Sequence, residues 1–201
     1  MTREDFLNRV HSALHRTEVT LEEAPALLEP LQSWDKTAVV QQFKQELEAL
    51  GGHVYLVQTL AEAQTKLAEV IQILQAKSYI RTNDKIIDEV LSAIPIPFNE
   101  HFADADLGIS GVHCALATTG TLVLTSEAGR IASLLPMNHI ALVKSEQLVP
   151  TMAEALEHHL DTLPAAWVQA TGPSRTADIE LTLSIGVHGP GVVHVIVIDS
   201  P

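Results

Sequence analysis

An α/β domain with a mostly parallel central sheet flanked by helices is the fold class that this sequence predicts, and three observations predict it. Amphipathic helical stretches alternate with short apolar strands three times in the first half. The second half is dense in short apolar runs separated by Gly, Ser and Thr. The chain is 46% hydrophobic but only 4% aromatic, so its core must be built mainly from Leu, Val, Ile and Ala. Such alternation implies helices packed on a parallel sheet, with ligands expected beyond the carboxyl ends of the strands. A length of 201 residues suits one substantial domain with a small appendage. We divide it into an N-terminal helical arm and connector, 1–30, and an α/β domain, 31–201.

Residues 2–16 place Phe6, Leu7, Val10, Ala13 and Leu14 three and four apart, which gives one apolar helical face. The acid-rich TEVTLEEAPALLEP that follows cannot extend that helix through its prolines and reads as a connector. Val39, Val40, Phe43, Leu47 and Leu50 predict a second helix, capped by Ser33 and stopped at Gly51-Gly52. HVYLV is then a buried strand. Thr59 and Glu62 have capping-box spacing and open a helix carrying Leu67, Val70, Ile71 and Leu74, after which SYIR is a short strand. Asn83 caps a helix with Ile86, Ile87, Val90 and Leu91, ended by the IPIP run.

In the second half LGIS, CALAT, TLVLT, HIALV and VVHVIVID read as strands. Between the last two, residues 151–160 align Met152, Leu156 and Leu160 as a helix, and AAWVQA supplies a further strand.

Charge excludes some functions. Twelve Lys and Arg stand against twenty-five Asp and Glu, a net charge of −13, which repels nucleic-acid backbones, so an anionic ligand needs a local positive site. The N-terminus lacks an apolar leader core and no stretch approaches the length of a membrane span, so a cytoplasmic location without membrane insertion is expected. One cysteine, Cys114, cannot form a disulfide or a four-thiolate cluster within the chain, and its place in an apolar strand predicts a buried, inert thiol. His11 and His15 share a helix face without a third ligand, and the adjacent His158 and His159 diverge by about 100° on a helix, so no metal site is expected. Neither GxGxxG nor GxxxxGK occurs, nor does GxSxG.

Three polar segments fall at strand ends, where they are expected to converge on one anion-binding pocket: ATTGT at 117–121, SEAGR at 126–130 and GPSRT at 172–176. Gly120 either lets a ligand approach between Thr119 and Thr121 or makes a hairpin turn. In GPSRTADIE, Ser174 or Thr176 is placed to cap a following helix. Its free amides, with Arg175, would hold a carboxylate or phosphate; alternatively, Asp178 and Glu180 merely favour the helix start and Arg175 pairs with an internal acid. Gly172 permits close backbone approach and Arg130 offers a second guanidinium. Glu127, His139 and His188 are candidate catalytic groups, although either histidine is equally suited to a structural hydrogen bond.

Taken together, GVHCALATTGTLVLTSEAGRIASLLPMNHIALV, GPSRTADIE and GVHGPGVVHVIVID resemble the lactate utilization protein C family, also called the LUD domain or YkgG-like family, over about Asp106 to Asp199. The resemblance implies a fold like that of ribose-5-phosphate isomerase, glucosamine-6-phosphate deaminase and coenzyme A transferases. It also implies an accessory role in an iron-sulfur-dependent L-lactate oxidation system, with clusters carried by partner proteins and no cofactor in this chain. The alternatives are a stand-alone enzyme acting on a coenzyme A thioester or sugar phosphate, and a structural adaptor. Members often read AETGT where this chain reads ATTGT, so Thr118 stands where a glutamate is expected, and threonine cannot replace a carboxylate as base or nucleophile without an activating partner.

Overall fold

A computed structural model describes residues 2–13, 34–92, 94, 96–126, 129–159, 164–177 and 183–199. The chain divides into two compact units, Met1–Ser33 and Trp34–Pro201. In the first, helix α1 spans Arg3–Ala13, with Thr2 Oγ1 accepting from the amide of Asp5 and the Asp5 carboxylate accepting from the amide of Thr2.

The second unit opens with α2 (Lys36–Ala49). Asp35 caps it, its carboxylate accepting from the Ala38 amide at 2.7 Å. The predicted cap, Ser33, lies outside the described residues. Gly51, at φ +89°, ends the helix where the sequence predicts. There follow β1 (His53–Val57), α3 (Leu60–Leu74), β2 (Tyr79–Arg81), α4 (Lys85–Leu91) and β3 (Leu107–Gly111). Thr59 caps α3 by accepting from the amide of Glu62, whose carboxylate reaches back to the amide of Gln58. The next elements are β4 (Cys114–Leu116), β5 (Thr121–Thr125), α5 (Ile131–Leu134), β6 (Asn138–Lys144), β7 (Leu148–Val149) and α6 (Met152–His159). Then come β8 (Trp167–Ala170), β9 (Arg175–Ala177), β10 (Leu183–Ile185) and β11 (Val192–Ile198).

Five strands form a wholly parallel sheet in the order β1-β11-β6-β3-β2. A second sheet, β7-β4-β5-β8, is mixed, with β5 antiparallel to both its neighbours. One face of the parallel sheet sends Ile109, Ile140, Leu142, Ile196 and Ile198 into the apolar sides of α3 and α4. The opposite face sends Val143, Val195 and Val197 against α2 and the smaller sheet, around the fully buried Phe43 and Leu47. Burying each such side chain contributes roughly 1.5–3 kcal/mol. On the far side of the smaller sheet, Cys114, Leu116 and Val123 pack on Ala155 of α6. Because both faces of the parallel sheet are covered, its strands read as continuous apolar runs rather than alternating ones.

One element differs from the sequence reading. Where the sequence predicts that GPSRT opens a helix, Arg175–Ala177 is a strand paired antiparallel with Leu183–Ile185, and Asp178 and Glu180 lie outside the described residues. The anion corner expected from helix amides and dipole is therefore not formed there.

Candidate functional site

The predicted site segments separate into two groups. ATTGT and GPSRT meet at the C-terminal turn of α2. Gly120, at φ +61°, closes the β4–β5 hairpin, and a Cβ on it would lie 2.5 Å from the backbone nitrogen of Leu47. Its bare face is thus filled by α2, and of the two readings the hairpin turn is the one observed. Thr119, Thr121 and Thr171 join their hydroxyls in a chain, at 2.7 and 2.8 Å. Gly172, at φ +79°, passes close over Leu50. Arg175 donates to the carbonyl of Leu50. Among the described residues it pairs with no acid; it serves as a charged cap on a helix C-terminus, where the dipole is negative.

The opening residues of GVHGPG lie beside the same segment. Ser174 N–H donates to the carbonyl of Pro190 and Gly186 N–H to that of Ser174, at 2.8 and 3.0 Å. Gly191 N–H reaches the carbonyl of Met137, which precedes β6. This cluster therefore sits at the amino edge of the parallel sheet, and His188 is exposed in its turn. Arg175→Ala is expected to weaken the α2 terminus, lowering stability by about 1 kcal/mol, which corresponds to roughly 2–4 °C in melting temperature for a domain of this size. Thermal unfolding of the variant checks this, and an unchanged melting temperature would show that the guanidinium adds nothing.

SEAGR lies elsewhere. It follows the other end of β5, and five residues of strand span about 17 Å. A single pocket cannot draw together ATTGT and SEAGR. Glu127 lies outside the described residues; Arg130 is exposed and precedes α5. His139 is fully buried on β6, with Nε2 2.8 Å from Ser110 Oγ on β3, and burial pushes its pKa down to about 4. It is a satisfied core histidine with no path to a substrate. Thr118 is exposed, and its amide donates to the carbonyl of Pro150. Cys114 is buried, its thiol pushed up to about 11 by desolvation. The side chains of His11, His158 and His159 and all of His15 are outside the described residues. Among the described residues no group of three or more His, Cys, Asp or Glu is placed to hold a metal.

What the structure does place at the carboxyl edge is a cleft of about 310 Å³, lined by Thr82, Asn83 and Asp84 after β2, Gly111, Val112 and His113 at the end of β3, and Leu124, Thr125, Gly129 and Gln147. Among its lining residues is Asp84, which holds the N-cap position of α4 with extended backbone yet makes no capping hydrogen bond. An N-cap bond ordinarily contributes about 1 kcal/mol. Here the carboxylate turns instead toward Thr82, whose hydroxyl donates to Asp84 Oδ2 at 2.7 Å and accepts from the Gly111 amide at 3.2 Å. Gly111 makes this arrangement fit, because a Cβ there would lie 2.7 Å from the carboxylate carbon. Gln147 braces the floor: its amide nitrogen donates to the Val112 carbonyl at 2.7 Å and its oxygen accepts from the Lys144 amide at 2.8 Å. The half-buried His113 stands edge-on to Trp167, with ring centroids 5.4 Å apart. Sequence reasoning took Asn83 for a helix cap and passed over Thr82, Asp84, Gly111, Thr125 and Gln147. The signal available was positional, since these residues directly follow predicted parallel strands or the loops beside them.

A family model described as the LUD domain matches residues 40–198. The chain belongs to the LUD domain family. A lactate utilization protein C from Shouchella clausii is 31% identical over 224 residues, covering 98% of this LUD chain and 97% of that relative. One from Oceanobacillus iheyensis is 34% identical over 65% of this chain and 67% of its own length. Another from Bacillus subtilis is 42% identical across a shorter stretch, 43% of this chain and 39% of that protein. Among solved structures, the crystal structure of a DUF162 family protein from Deinococcus radiodurans superimposes with a TM-score of 0.62 at 22% identity, covering 83% of this chain and 99% of that one. That likeness shows the LUD fold. Both the amino-edge cluster and the carboxyl-edge cleft lie inside the matched span, whereas α1 lies outside it.

Proposed function

We propose that this LUD chain is an accessory component of a system for L-lactate utilization, acting in the cytoplasm beside iron-sulfur partner proteins. The observation that carries the reading is the near full-length alignment with a relative named lactate utilization protein C. Oxidation of lactate to pyruvate releases two electrons and two protons, so an electron acceptor is required. A chain with one cysteine cannot ligate a four-thiolate cluster, and the buried thiol of Cys114, its pKa raised, is a poor redox nucleophile. The acceptor on this reading belongs to the partners. No helix among the described residues is long and apolar enough to cross a membrane, which accords with association through protein surfaces.

A stand-alone enzyme on a coenzyme A thioester or sugar phosphate fits the geometry less well. The described lining of the carboxyl-edge cleft contains no lysine or arginine to receive a phosphate, and it presents the carboxylate of Asp84.

The test is complementation. A bacterium lacking its own lactate utilization protein C is expected to regain growth on L-lactate as sole carbon source when it expresses this chain, and the host's iron-sulfur proteins of that system are expected to co-purify with it. Absence of growth despite accumulation of folded protein would overturn the assignment.

A further inference from the structure

We propose that the carboxyl-edge cleft is a binding site for a neutral, hydroxyl-bearing small molecule of about monosaccharide size, with Asp84 as its principal hydrogen-bond acceptor. This goes beyond the lactate role and stands or falls separately from it.

The first support is the conformation of Asp84. A residue in the N-cap position, with the right backbone geometry and an oxygen-bearing side chain, forgoes its helix and is held over Gly111 by Thr82. Two further residues are thus fitted to one carboxylate, and α4 does not profit. The arrangement is explained if the carboxylate serves something in the cleft.

The second support is what remains unengaged. Thr82 occupies Oδ2 of Asp84, while Oδ1 makes no hydrogen bond to another described residue. Thr125 is only 7% exposed and lines the cleft, and its hydroxyl likewise makes no hydrogen bond to another described residue. That hydroxyl opens on the cleft, so water, or a ligand group that displaces it, is its available partner. Asn83 adds an exposed amide that both donates and accepts.

The ligand class follows from this donor and acceptor set. A hydroxyl can donate to Asp84 and also accept from Thr125 or Asn83. An ammonium group could donate to Asp84 and to the oxygens of Thr125 and Asn83, but it would leave the Thr125 hydroxyl proton and the Asn83 amide hydrogens without an acceptor. A carboxylate or phosphate would face Asp84 with like charge, in a chain of net charge −13. Val112 and Leu124 supply apolar wall for carbon-bound hydrogens. The cleft volume of about 310 Å³ falls at the small end of ligand pockets, which run from about 300 to 1,000 Å³.

Isothermal titration of the full chain against neutral monosaccharides and nucleosides, with sodium lactate, inorganic phosphate and ethanolamine as the charged probes, tests the proposal. At least one neutral hydroxyl-bearing probe is expected to bind, and Asp84→Asn to weaken it by about tenfold, the loss of a charge-assisted hydrogen bond. Thr125→Val is expected to weaken it by a smaller factor, and it keeps the proposal testable if the Asp84 variant does not fold. Binding of charged probes alone, binding indifferent to both variants, or no binding by any probe would overturn it. None of these outcomes bears on growth with lactate, so the two readings fail separately.

Discussion

Lowering the pH from 7 to about 4.5 is expected to remove about 2 kcal/mol of stability from the α/β domain through His139 alone. This histidine is wholly enclosed between β6 and β3 and bonded to Ser110, and desolvation of its charged form holds its pKa near 4. In the unfolded chain the same ring titrates near 6.5. Between these values the unfolded state takes up a proton that the folded state refuses, so stability is fully present above about pH 6.5 and declines as pH falls toward 4. His194 acts in the same direction: burial, and secondarily the neighbouring His53, push its pKa down to about 4 as well. Urea unfolding at pH 7, 5.5 and 4.5 measures the effect. The double variant Ser110→Ala, His139→Leu removes both partners without orphaning either, and its stability should fall less steeply with acid than that of the parent. A parent protein equally stable at pH 7 and 4.5 would show that the ring is not held neutral.

The strands were legible because a parallel sheet covered on both faces demands unbroken apolar runs. HIALV and VVHVIVI became buried strands of that sheet, HVYLV its edge strand with His53 and Leu56 exposed rather than the buried strand expected, and TLVLT the fully buried β5 of the smaller mixed sheet. GPSRTADIE was misread for a physical reason. Its hydroxyls and following acids satisfy the local signature of a helix start, but strand pairing between Arg175–Ala177 and Leu183–Ile185 prevails, and no local pattern encodes a partner strand. The three polar segments were expected to converge because each ends a strand. Strand direction decides which ends share an edge, and that is fixed only by the sheet. Asp84 was hidden for a related reason. Asn-Asp before an apolar helix reads as a cap, and its diversion depends on a missing side chain at Gly111, on a different strand. The partner of Arg175 is the last turn of α2, too far away in sequence for any local pattern to name it.

Gly108→Ala should cost more than any ordinary surface substitution, about 3 kcal/mol or more. The added Cβ would fall 1.7 Å from the carbonyl oxygen of Ala132 and 2.8 Å from its carbon. These are backbone atoms of α5 and cannot rotate aside, so the helix must lift from β3. Pro136, 3.2 Å from the same point, stiffens the exit of that segment and limits its retreat. A drop of roughly 6–12 °C in melting temperature follows from a loss of about 3 kcal/mol in a domain of this size. Gly189→Ala is the control, since its Cβ would meet only Ser174 at 3.6 Å, an ordinary contact, and it should melt within about 2 °C of the parent. The variant also probes the buried histidine. Gly108 is the register partner of His139 and lies two residues from Ser110 on the same strand, so a helix displaced from Gly108 admits water toward that pair. The ring's pKa would then rise toward its ordinary value, and the acid sensitivity of the variant should be smaller than the parent's even though its stability at neutral pH is lower. Lower stability with undiminished acid sensitivity would place the damage elsewhere than over His139, whereas unchanged stability would mean that α5 does not rest on β3 at Gly108.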